Sequence, residues 1–387
     1  MQFAHTEEQR LIRESARSFL ASRAGAAQLR AGLEQPGAYD AQLWRQMASE
    51  MGWAGLAIAA EHGGAGLGWV ELCILQEEQG RHLVPSPFFS TVALAAPLIE
   101  AIGSAAQRHA LLGRIAAGEL RIGCVLSGTD GRPPCEDVAV ELNTSGAAWT
   151  LNGVGDFVIH GDSADLLLVL VRAAGSAGAD GLSIAMVSPS AAGVAVHPHV
   201  MLDLTRPMSK VEFTAVALER DQILGETGAA RAPLERALSL ASIALAAEAL
   251  GGAERLLEMT TDYVKQRTQF GRPIGSFQAI KHRLADMMVQ VEAARSAAWY
   301  AAAVAQEGDD ELAEAAAIAK SYCCDAFCDC AASAIQLHGG VGFTWEHEAH
   351  WYFKRARATA SLLGSPAWQR ERLMRIVAGG AAATPRF

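Results

Sequence analysis

The stretch that decides the fold runs from Tyr263 to Met288 and reads YVKQRTQFGRPIGSFQAIKHRLADMM. Both ends have the periodicity of a helix, but the middle holds few apolar side chains and two glycines. Gly271 with Pro273 is expected to stop the first helix, and Ser276 is expected to cap the second. These residues explain the turn, but they do not explain the polar side chains around it.

Arg267, Gln269 and Phe270 stand at the end of the first helix, and Gln278 stands at the start of the second. One interpretation makes Arg267 a cation at the negative end of a helix dipole. The other makes Arg267 a phosphate clamp beside an aromatic platform, because a planar guanidinium offers paired donors to phosphate oxygens.

The composition limits the class of protein. With 387 residues, the chain is long for one core and predicts two or three substructures that could enclose a cofactor. The 51% share of hydrophobic residues and the 19% share of charged residues are typical of a mostly helical globular protein. A formal net charge of -10, with Lys and Arg residues that are not expected to form the basic face that nucleic acid requires, argues against nucleic-acid binding.

Location and metal binding are predicted from the same sequence. The first residues are charged throughout and no stretch has about 18 uninterrupted apolar residues, so neither a secretory signal nor a membrane span is predicted. Seven cysteines, four of them between residues 323 and 330, are expected to be free thiols in the cytoplasm. Their spacing does not match a zinc site, and no metal is predicted.

Three parts follow one another along the chain. Residues 1–117 are predicted to be helical, starting with a capping box at Thr6 and Gln9. Residues 118–228 contain short apolar segments separated by turn residues, which is typical of an antiparallel β domain. Residues 229–387 return to long helical runs, so the fold class is α+β.

The predicted elements are as follows. Helical runs are expected at 41–51, 70–80, 91–101, 234–267, 276–306, 311–338 and 366–377. Strands are expected at 139–142, 148–151, 157–159, 166–171, 182–187, 194–197 and 210–213.

A second compact segment, QLHGGVGF at residues 336–343, follows the helix expected at 311–338. Its three glycines would let a ligand or another backbone approach closely, although alone they would be read as a helix C-cap. Together, residues 266–287 and 334–358 closely resemble the two best-marked segments of acyl-CoA dehydrogenases. The order of substructures agrees over essentially the whole chain, with a four-helix bundle as the last part.

The resemblance implies a flavoprotein of fatty acid or lipid catabolism. FAD would be held between the β domain and the helices, usually in a tetramer built as a dimer of dimers. The residues that would contact FAD are Arg267 at the pyrophosphate, Phe270 and Gln278 at the adenine nucleotide, Gln336, Gly339 and Gly340 at the FAD of a neighbouring subunit, and Phe157 as an aromatic wall.

Two flavin-facing segments depart from the family pattern. Residues 127–134 (SGTDGRPP) stand where the family has a sequence close to T-E-P-x-A-G-S-D. Phe157, Val158 and Ile159 stand where it has W-I-T or W-I-S, so the aromatic wall is kept and the hydroxyl is lost.

The position of the catalytic base also differs from the family pattern. Most members carry a glutamate where this chain has Leu363, and a minority carry it at the position of Ala241. Glu248 lies seven residues beyond Ala241 on the same helix, which is about 10 Å along the axis and nearly on the same face. Among alanines, leucine and glycine its pKa should be raised, which suits a base, so Glu248 is the predicted catalytic residue. The alternatives are an ion pair across the bundle and a surface glutamate.

The displaced base and Leu202–Arg206 (LDLTR) resemble a branch that often works as paired, unequal subunits on steroid side-chain or dicarboxylic thioesters. The first hypothesis is an FAD-dependent acyl-CoA dehydrogenase that forms a 2-enoyl-CoA and passes electrons to an electron-transfer flavoprotein. The alternative is a non-catalytic or half-site subunit of a hetero-oligomer, so both a homotetramer and a heterotetramer stay open. A third hypothesis is the use of oxygen or of a non-thioester substrate.

Overall fold

The computed structural model describes residues 5–33, 39–128, 134, 138–144, 148–177, 180–308 and 310–378. The chain divides into two compact units. We call residues 1–21, 73–83 and 242–387 the helical unit, and residues 22–72 and 84–241 the sheet unit. The predicted order of helices, strands and longer helices is confirmed, whereas the exact domain boundaries stay a prediction.

The helices and strands lie close to the predicted ones. The α-helices are α1 (Glu7–Arg23), α2 (Ala26–Leu33), α3 (Ala41–Arg45), α4 (Trp69–Arg81), α5 (Ala96–Ile102), α6 (Ala105–Ala116), α7 (Arg231–Gln266), α8 (Gln278–Glu307), α9 (Leu312–His338), α10 (Ala349–Ser361) and α11 (Pro366–Val377). The strands are β1 (Ile122–Val125), β2 (Val140–Asn143), β3 (Trp149–Ile159), β4 (Leu166–Ala173), β5 (Leu182–Val187), β6 (Val194–Pro198), β7 (Met208–Leu218), β8 (Ile223–Leu224), β9 (Thr268–Gln269) and β10 (Arg272–Pro273). Wider π-helical turns at Gln46–Glu50 and Phe89–Ala95 adjoin α3 and α5.

The N-terminus of α1 is fixed by the capping box that the sequence predicts. The Thr6 N–H donates to Gln9 Oε1 at 3.0 Å, and the Gln9 N–H donates to Thr6 Oγ1 at 3.2 Å. Ser104 and Gln107 form a second such box at the start of α6. In both places a short polar side chain satisfies an N–H that has no partner inside the helix.

The sheet unit holds one mixed sheet with the strand order β6-β7-β3-β2-β4-β5-β8, and β1 also pairs with β4. Most neighbours are antiparallel, as predicted, but β1 and β2 each run parallel to β4. Parallel neighbours need a long connection instead of a hairpin, so the turn residues that reveal antiparallel pairs give no sign of them. Alternate side chains of β2 and β3, such as Leu142 and Leu151, enter the core of this unit.

Of the residues that the structure describes, α7 is the one helix long and apolar enough to pass a test for membrane-crossing segments. In this fold, 94% of its apolar window is buried inside the protein.

In the helical unit, α4 and α7 approach each other at two glycines. A Cβ added to Gly80 would lie 2.0 Å from the Glu248 carbonyl oxygen, and one added to Gly251 would lie 1.8 Å from the Glu77 carbonyl oxygen. Since neither neighbour is a movable side chain, any larger residue would force the two helices apart.

We therefore expect Gly251→Ala to lower the free energy of unfolding by about 3 kcal/mol, the upper range for overpacking a core. Gly113→Ala in α6 is the matched control, because its new methyl group would meet only one atom, at 3.6 Å. That control should be neutral or slightly stabilising, since alanine favours helix. Urea unfolding measures both variants, and equal effects would contradict the close approach.

Several carboxylates of the helical unit are buried beside arginines. Glu77 lies 2.7 Å from Arg13, and Glu78 lies 2.7 Å from Arg17. Burial and the neighbouring Glu254 raise the pKa of Glu77 to about 7, although Arg13 opposes this shift. Glu77 therefore binds its proton more tightly in the folded protein than in the unfolded chain.

This shift makes stability depend on pH. A raised carboxyl pKa contributes stability that is complete below the unfolded value of 4.5 and is lost as the pH rises toward about 7. Glu77→Gln cannot ionise, so we expect its free energy of unfolding relative to wild type to rise between pH 5 and 8 by on the order of 3 kcal/mol. Urea unfolding across this range measures the trend, and a constant difference would rule out the shift.

Candidate active site

The hinge between α7 and α8 is a small hairpin. α7 ends at Gln266, before Gly271 and Pro273, so the prediction that these two residues stop the helix is wrong. They belong instead to the hairpin of β9 and β10. Its two turn residues, Phe270 (φ 52°) and Gly271 (φ 75°), are both left-handed, as a type I′ turn requires. This turn presents Phe270 to solvent with 91% of its surface exposed.

The start of α8 also differs from the prediction. The residue at the N-cap position is Phe277, and no side chain caps the helix, so the prediction of Ser276 as cap is wrong. Ser276 ends a 3-10 turn that begins at Ile274. The Arg272 guanidinium lies over the Phe277 ring, 4.1 Å from its centroid, and Gln278 is the exposed first residue of α8. Stacking on the arginine takes the place of a cap in fixing this turn.

The charge of the hinge suits an anionic group. Residues 263–283 carry five Lys or Arg side chains (Lys265, Arg267, Arg272, Lys281 and Arg283) and no Asp or Glu, although the whole chain has a net charge of -10. The Arg267 side chain is exposed at the end of α7. An exposed guanidinium among cations fits the pyrophosphate of FAD, and the exposed Phe270 ring fits its adenine.

The glycine-rich segment lies beside the same end of α7. The Tyr263 hydroxyl donates to the His338 carbonyl oxygen at 3.2 Å, and the two rings stack 4.3 Å apart. Burial lowers the pKa of His338, so this ring stays neutral at pH 7. The structure thus brings together the two motifs that the sequence singles out.

Gln336, Gly339 and Gly340 are exposed around the end of α9. Gly339 has a φ of 64°, and a Cβ added to Gly339 or Gly340 would meet no atom within 4 Å. The backbone here is open to a ligand or to another chain, as the predicted role requires. The contact with the FAD of a neighbouring subunit stays a prediction.

In the sheet unit, Phe157 occupies a bulge of β3. Its φ of 55° is left-handed, and the register of β3 against β7 shifts between Gly155 and Val158. The bulge leaves 42% of Phe157 exposed, whereas Val158 and Ile159 are buried. Phe157 can therefore form an aromatic wall, and Ile159 is not available in place of the family's hydroxyl.

The neighbours of Phe157 were not found from the sequence. The Phe157 N–H donates to Asp156 Oδ1 at 2.7 Å, and His199 Nε2 lies 2.5 Å from the same oxygen. The Asp156 N–H donates to the Ser127 carbonyl oxygen at 3.0 Å. Ser127 begins the segment expected to contact flavin, but residues 129–133 of that segment lie outside the described residues.

Glu248 is buried on α7, with 5% of its surface exposed. Thr359 Oγ1 donates to Glu248 Oε1 at 3.3 Å, and the Arg355 guanidinium lies 3.6 Å from the same oxygen. These partners, both on α10, form the cross-bundle ion pair that was the alternative interpretation. The expectation of purely apolar surroundings is therefore wrong, while the role of Glu248 as a base stays a prediction.

The two family positions for the base hold no acid. Ala241 is fully buried, and Leu363 adopts a left-handed φ of 53°. The turn after α10 is held by Lys320, whose buried ammonium donates to the carbonyl oxygens of Thr359 (3.0 Å) and Gly364 (3.4 Å). This turn is thus fixed by a lysine, and proton abstraction needs a group from elsewhere.

The cysteine cluster lies on α9. Burial raises the pKa of the thiols of Cys323, Cys324 and Cys330, so these thiols stay protonated and do not suit metal ligands. Within the part of the chain that the structure describes, no group of three or more His, Cys, Asp or Glu is placed to hold a metal ion.

The sheet unit also contains a cavity of about 290 Å³. Its lining is mostly apolar and includes Trp69, Leu72 and Leu240, with Glu100 and Arg236 as charged members. None of the residues predicted to contact FAD lines this cavity. Its lining suits a small apolar group.

Comparison with known proteins identifies the family. Residues 6–119 match the model of the acyl-CoA dehydrogenase N-terminal domain, and residues 222–378 match that of the C-terminal domain. Over 360 residues the chain is 35% identical to acyl-CoA dehydrogenase IpdE2 of Mycobacterium tuberculosis, covering 93% of this chain and 94% of that protein. The chain belongs to the acyl-CoA dehydrogenase family.

Solved structures agree with this acyl-CoA dehydrogenase fold. A variant of the steroid ACAD Tcur3481-Tcur3483 is 32% identical, with a TM-score of 0.85, covering 97% of this chain and 99% of that chain. The ChsE4-ChsE5 complex from Mycobacterium tuberculosis is 26% identical, with a TM-score of 0.88, covering 100% of both chains. As a member of this family, the chain is an FAD-dependent oxidoreductase of acyl-CoA thioesters, and the predicted cofactor is confirmed.

The hinge geometry predicts how FAD affinity depends on Arg267. Arg267→Ala should raise the dissociation constant for FAD about tenfold or more, because it removes a charge-assisted contact with phosphate. Lys265→Ala is the matched control, since its ammonium lies 3.9 Å from Asp262, and its effect should be smaller. Fluorescence titration of the apoprotein measures both, and equal losses would argue against a specific clamp.

Proposed function

We propose that this chain catalyses the FAD-dependent α,β-dehydrogenation of an acyl-CoA thioester to the 2-enoyl-CoA. The main support for this proposal is the structure of the hinge. There, a turn rich in Lys and Arg with the exposed Phe270 ring adjoins the segment that contains the exposed Gly339 and Gly340. FAD, when bound, supplies the acceptor for the β-hydrogen, which leaves as a hydride. The chain binds the nucleotide, orients the reactants and provides an acceptor for the α-proton.

Glu248 is the acceptor that we propose for the α-proton. It is a buried carboxylate on α7, seven residues from a position where some family members carry their base. Its contacts with Thr359 and Arg355 restrict it, so it would have to exchange one of them for the substrate.

A second candidate is favoured by the same contacts. With Glu248 paired, Ala241 buried and Leu363 lacking an acidic group, the chain could be a half-site subunit whose partner supplies the base. Two similar structures, Tcur3481-Tcur3483 and the ChsE4-ChsE5 complex, are named for pairs of components, which supports a hetero-oligomer. In either case we propose a tetramer in the cytoplasm that passes its electrons to an electron-transfer flavoprotein.

One experiment distinguishes the two candidate functions, a dehydrogenase and a half-site subunit. The purified chain is loaded with FAD under anaerobic conditions and mixed with straight, branched, dicarboxylic and steroid-derived acyl-CoA thioesters. Bleaching of the flavin by the chain alone would support the first candidate. Bleaching only after a related chain is added would support the second. In a separate aerobic assay, oxygen consumption without another acceptor would indicate an oxidase.

The role of Glu248 gives a prediction about its variants. Glu248→Gln should abolish bleaching while FAD stays bound, because an amide cannot take the α-proton. Arg355→Gln removes the guanidinium that lies 3.6 Å from the buried Glu248 carboxylate, and it should lower the free energy of unfolding by about 3–5 kcal/mol.

Absorbance at the flavin bands and urea unfolding measure these effects, with the double variant testing whether they are coupled. Retained bleaching in Glu248→Gln would show that Glu248 is not the base. A large stability loss in that variant as well would leave the ion pair as its role.

A further inference from the structure

We propose that His199 is a positioning residue for the flavin-facing wall. Through Asp156 and through its own ring, it holds Phe157 in the exposed, left-handed conformation that the wall requires. This inference rests on the proposed function, because it assigns a role toward bound FAD. Neither the family motifs nor the sequence pattern pointed to this residue.

The backbone at Phe157 needs outside support. A left-handed φ of 55° is unfavourable for a residue with a bulky side chain, and it occurs here at a bulge where β3 loses its regular pairing with β7. An unfavourable conformation persists only where neighbouring groups hold it. The groups that hold this one therefore decide whether the ring stands in its place.

One carboxylate oxygen joins the three residues. Asp156 Oδ1 accepts the Phe157 N–H at 2.7 Å, and His199 Nε2 lies 2.5 Å from it. Since this oxygen is an acceptor, the imidazole must carry its hydrogen on Nε2. Removing the imidazole donor leaves the carboxylate free to turn away from the Phe157 amide.

The ring of His199 provides a second contact. It stacks on Phe157 with the centroids 5.9 Å apart and an angle of 28° between the planes. The backbone of His199 is fixed, because its main-chain N–H donates to the Met208 carbonyl oxygen at 2.8 Å. The histidine thus supports the wall from one side and leaves its other surface exposed.

The nearby charges are engaged with one another. On β7, Lys210 lies 2.6 Å from Glu212, and His197 on β6 lies 3.7 Å from the same carboxylate. Lys210 also interacts electrostatically with Asp156, whereas the side-chain hydrogen bond to Asp156 Oδ1 comes from His199. His197 contacts Glu212 instead and is a suitable control on the same sheet.

The position of Asp156 relative to the segment that is predicted to contact flavin supports the role of His199. The Asp156 N–H donates to the Ser127 carbonyl oxygen at 3.0 Å, which places the pair next to the start of that segment. A residue that fixes both Asp156 and Phe157 therefore acts where the flavin ring is expected.

The test distinguishes the contribution of the His199 ring from that of its hydrogen bond with Asp156. His199→Phe keeps a stacking ring and loses the donor, whereas His199→Gln keeps a donor near the Nε2 position and loses the ring. His197→Gln is the control. For each holoprotein we measure the dissociation constant of FAD, the flavin absorbance spectrum and the flavin reduction potential.

We expect His199→Phe to raise the dissociation constant about tenfold, as the loss of one charge-assisted hydrogen bond predicts. The absorbance band and the reduction potential should shift with it. His199→Gln should recover part of the affinity, and His197→Gln should match wild type. Values for both His199 variants within about twofold of wild type, with unchanged spectra, would overturn the inference.

Three further outcomes decide how the result is interpreted. If His199→Phe does not fold, Asp156→Asn, which weakens the same contacts, replaces it with the same expected shifts, and its agreement with wild type would overturn the inference. If the wild-type chain binds no FAD, either alone or with a related partner chain, the proposed function fails together with this inference. If wild type binds FAD and the variants do not differ from it, only the role of His199 fails.

Discussion

Carboxylates buried beside guanidinium groups constrain how the helices of the helical unit pack. Taking one such ion out of water costs several kcal/mol, and only a well-placed opposite charge offsets that cost. Glu77 with Arg13 joins α4 to α1, and Glu248 with Arg355 joins α7 to α10. Each pair fixes which turns of the two helices it joins face each other, while the close approach of α4 and α7 is set at Gly80 and Gly251.

The same constraint shapes the chemistry that α7 can support. The Thr359 hydroxyl and the Arg355 guanidinium both contact Glu248 Oε1, so this oxygen is already engaged before any substrate binds. Glu248 is therefore poorly suited to act alone unless substrate binding releases it from Arg355. A dehydrogenase and a half-site subunit are therefore both compatible with one fold. The two candidate functions differ in which chain supplies the catalytic base and not in the residues that bind FAD.

Much of the fold could be predicted because it depends on local signals. The capping box at Thr6 and the bounds of α9 and α11 follow from side chains that are neighbours in sequence. The parallel pairing of β1 and β2 with β4 could not be predicted, since it joins strands whose connection leaves no turn signature. α10 (Ala349–Ser361) was not predicted as a separate helix, although its partners Thr359 and Arg355 decide the surroundings of Glu248.

Some residues of the candidate site could likewise be predicted from the sequence, and others could not. Arg267, Phe270 and the glycines could be found because the residues of each motif are consecutive in the chain. The turn chemistry at Ser276 was wrong, since stacking of Arg272 on Phe277 replaced a cap. His199 gave no signal in the sequence, because it contacts Asp156, which lies 43 positions away in the chain.

The most direct test of an FAD-dependent redox role is the amount of FAD that the purified, assembled protein retains after gel filtration. The structure of the hinge predicts a yellow protein with flavin absorbance and a saturable FAD content that falls at high ionic strength. Protein that keeps no flavin, even after incubation with excess FAD and a related partner chain, would contradict that role.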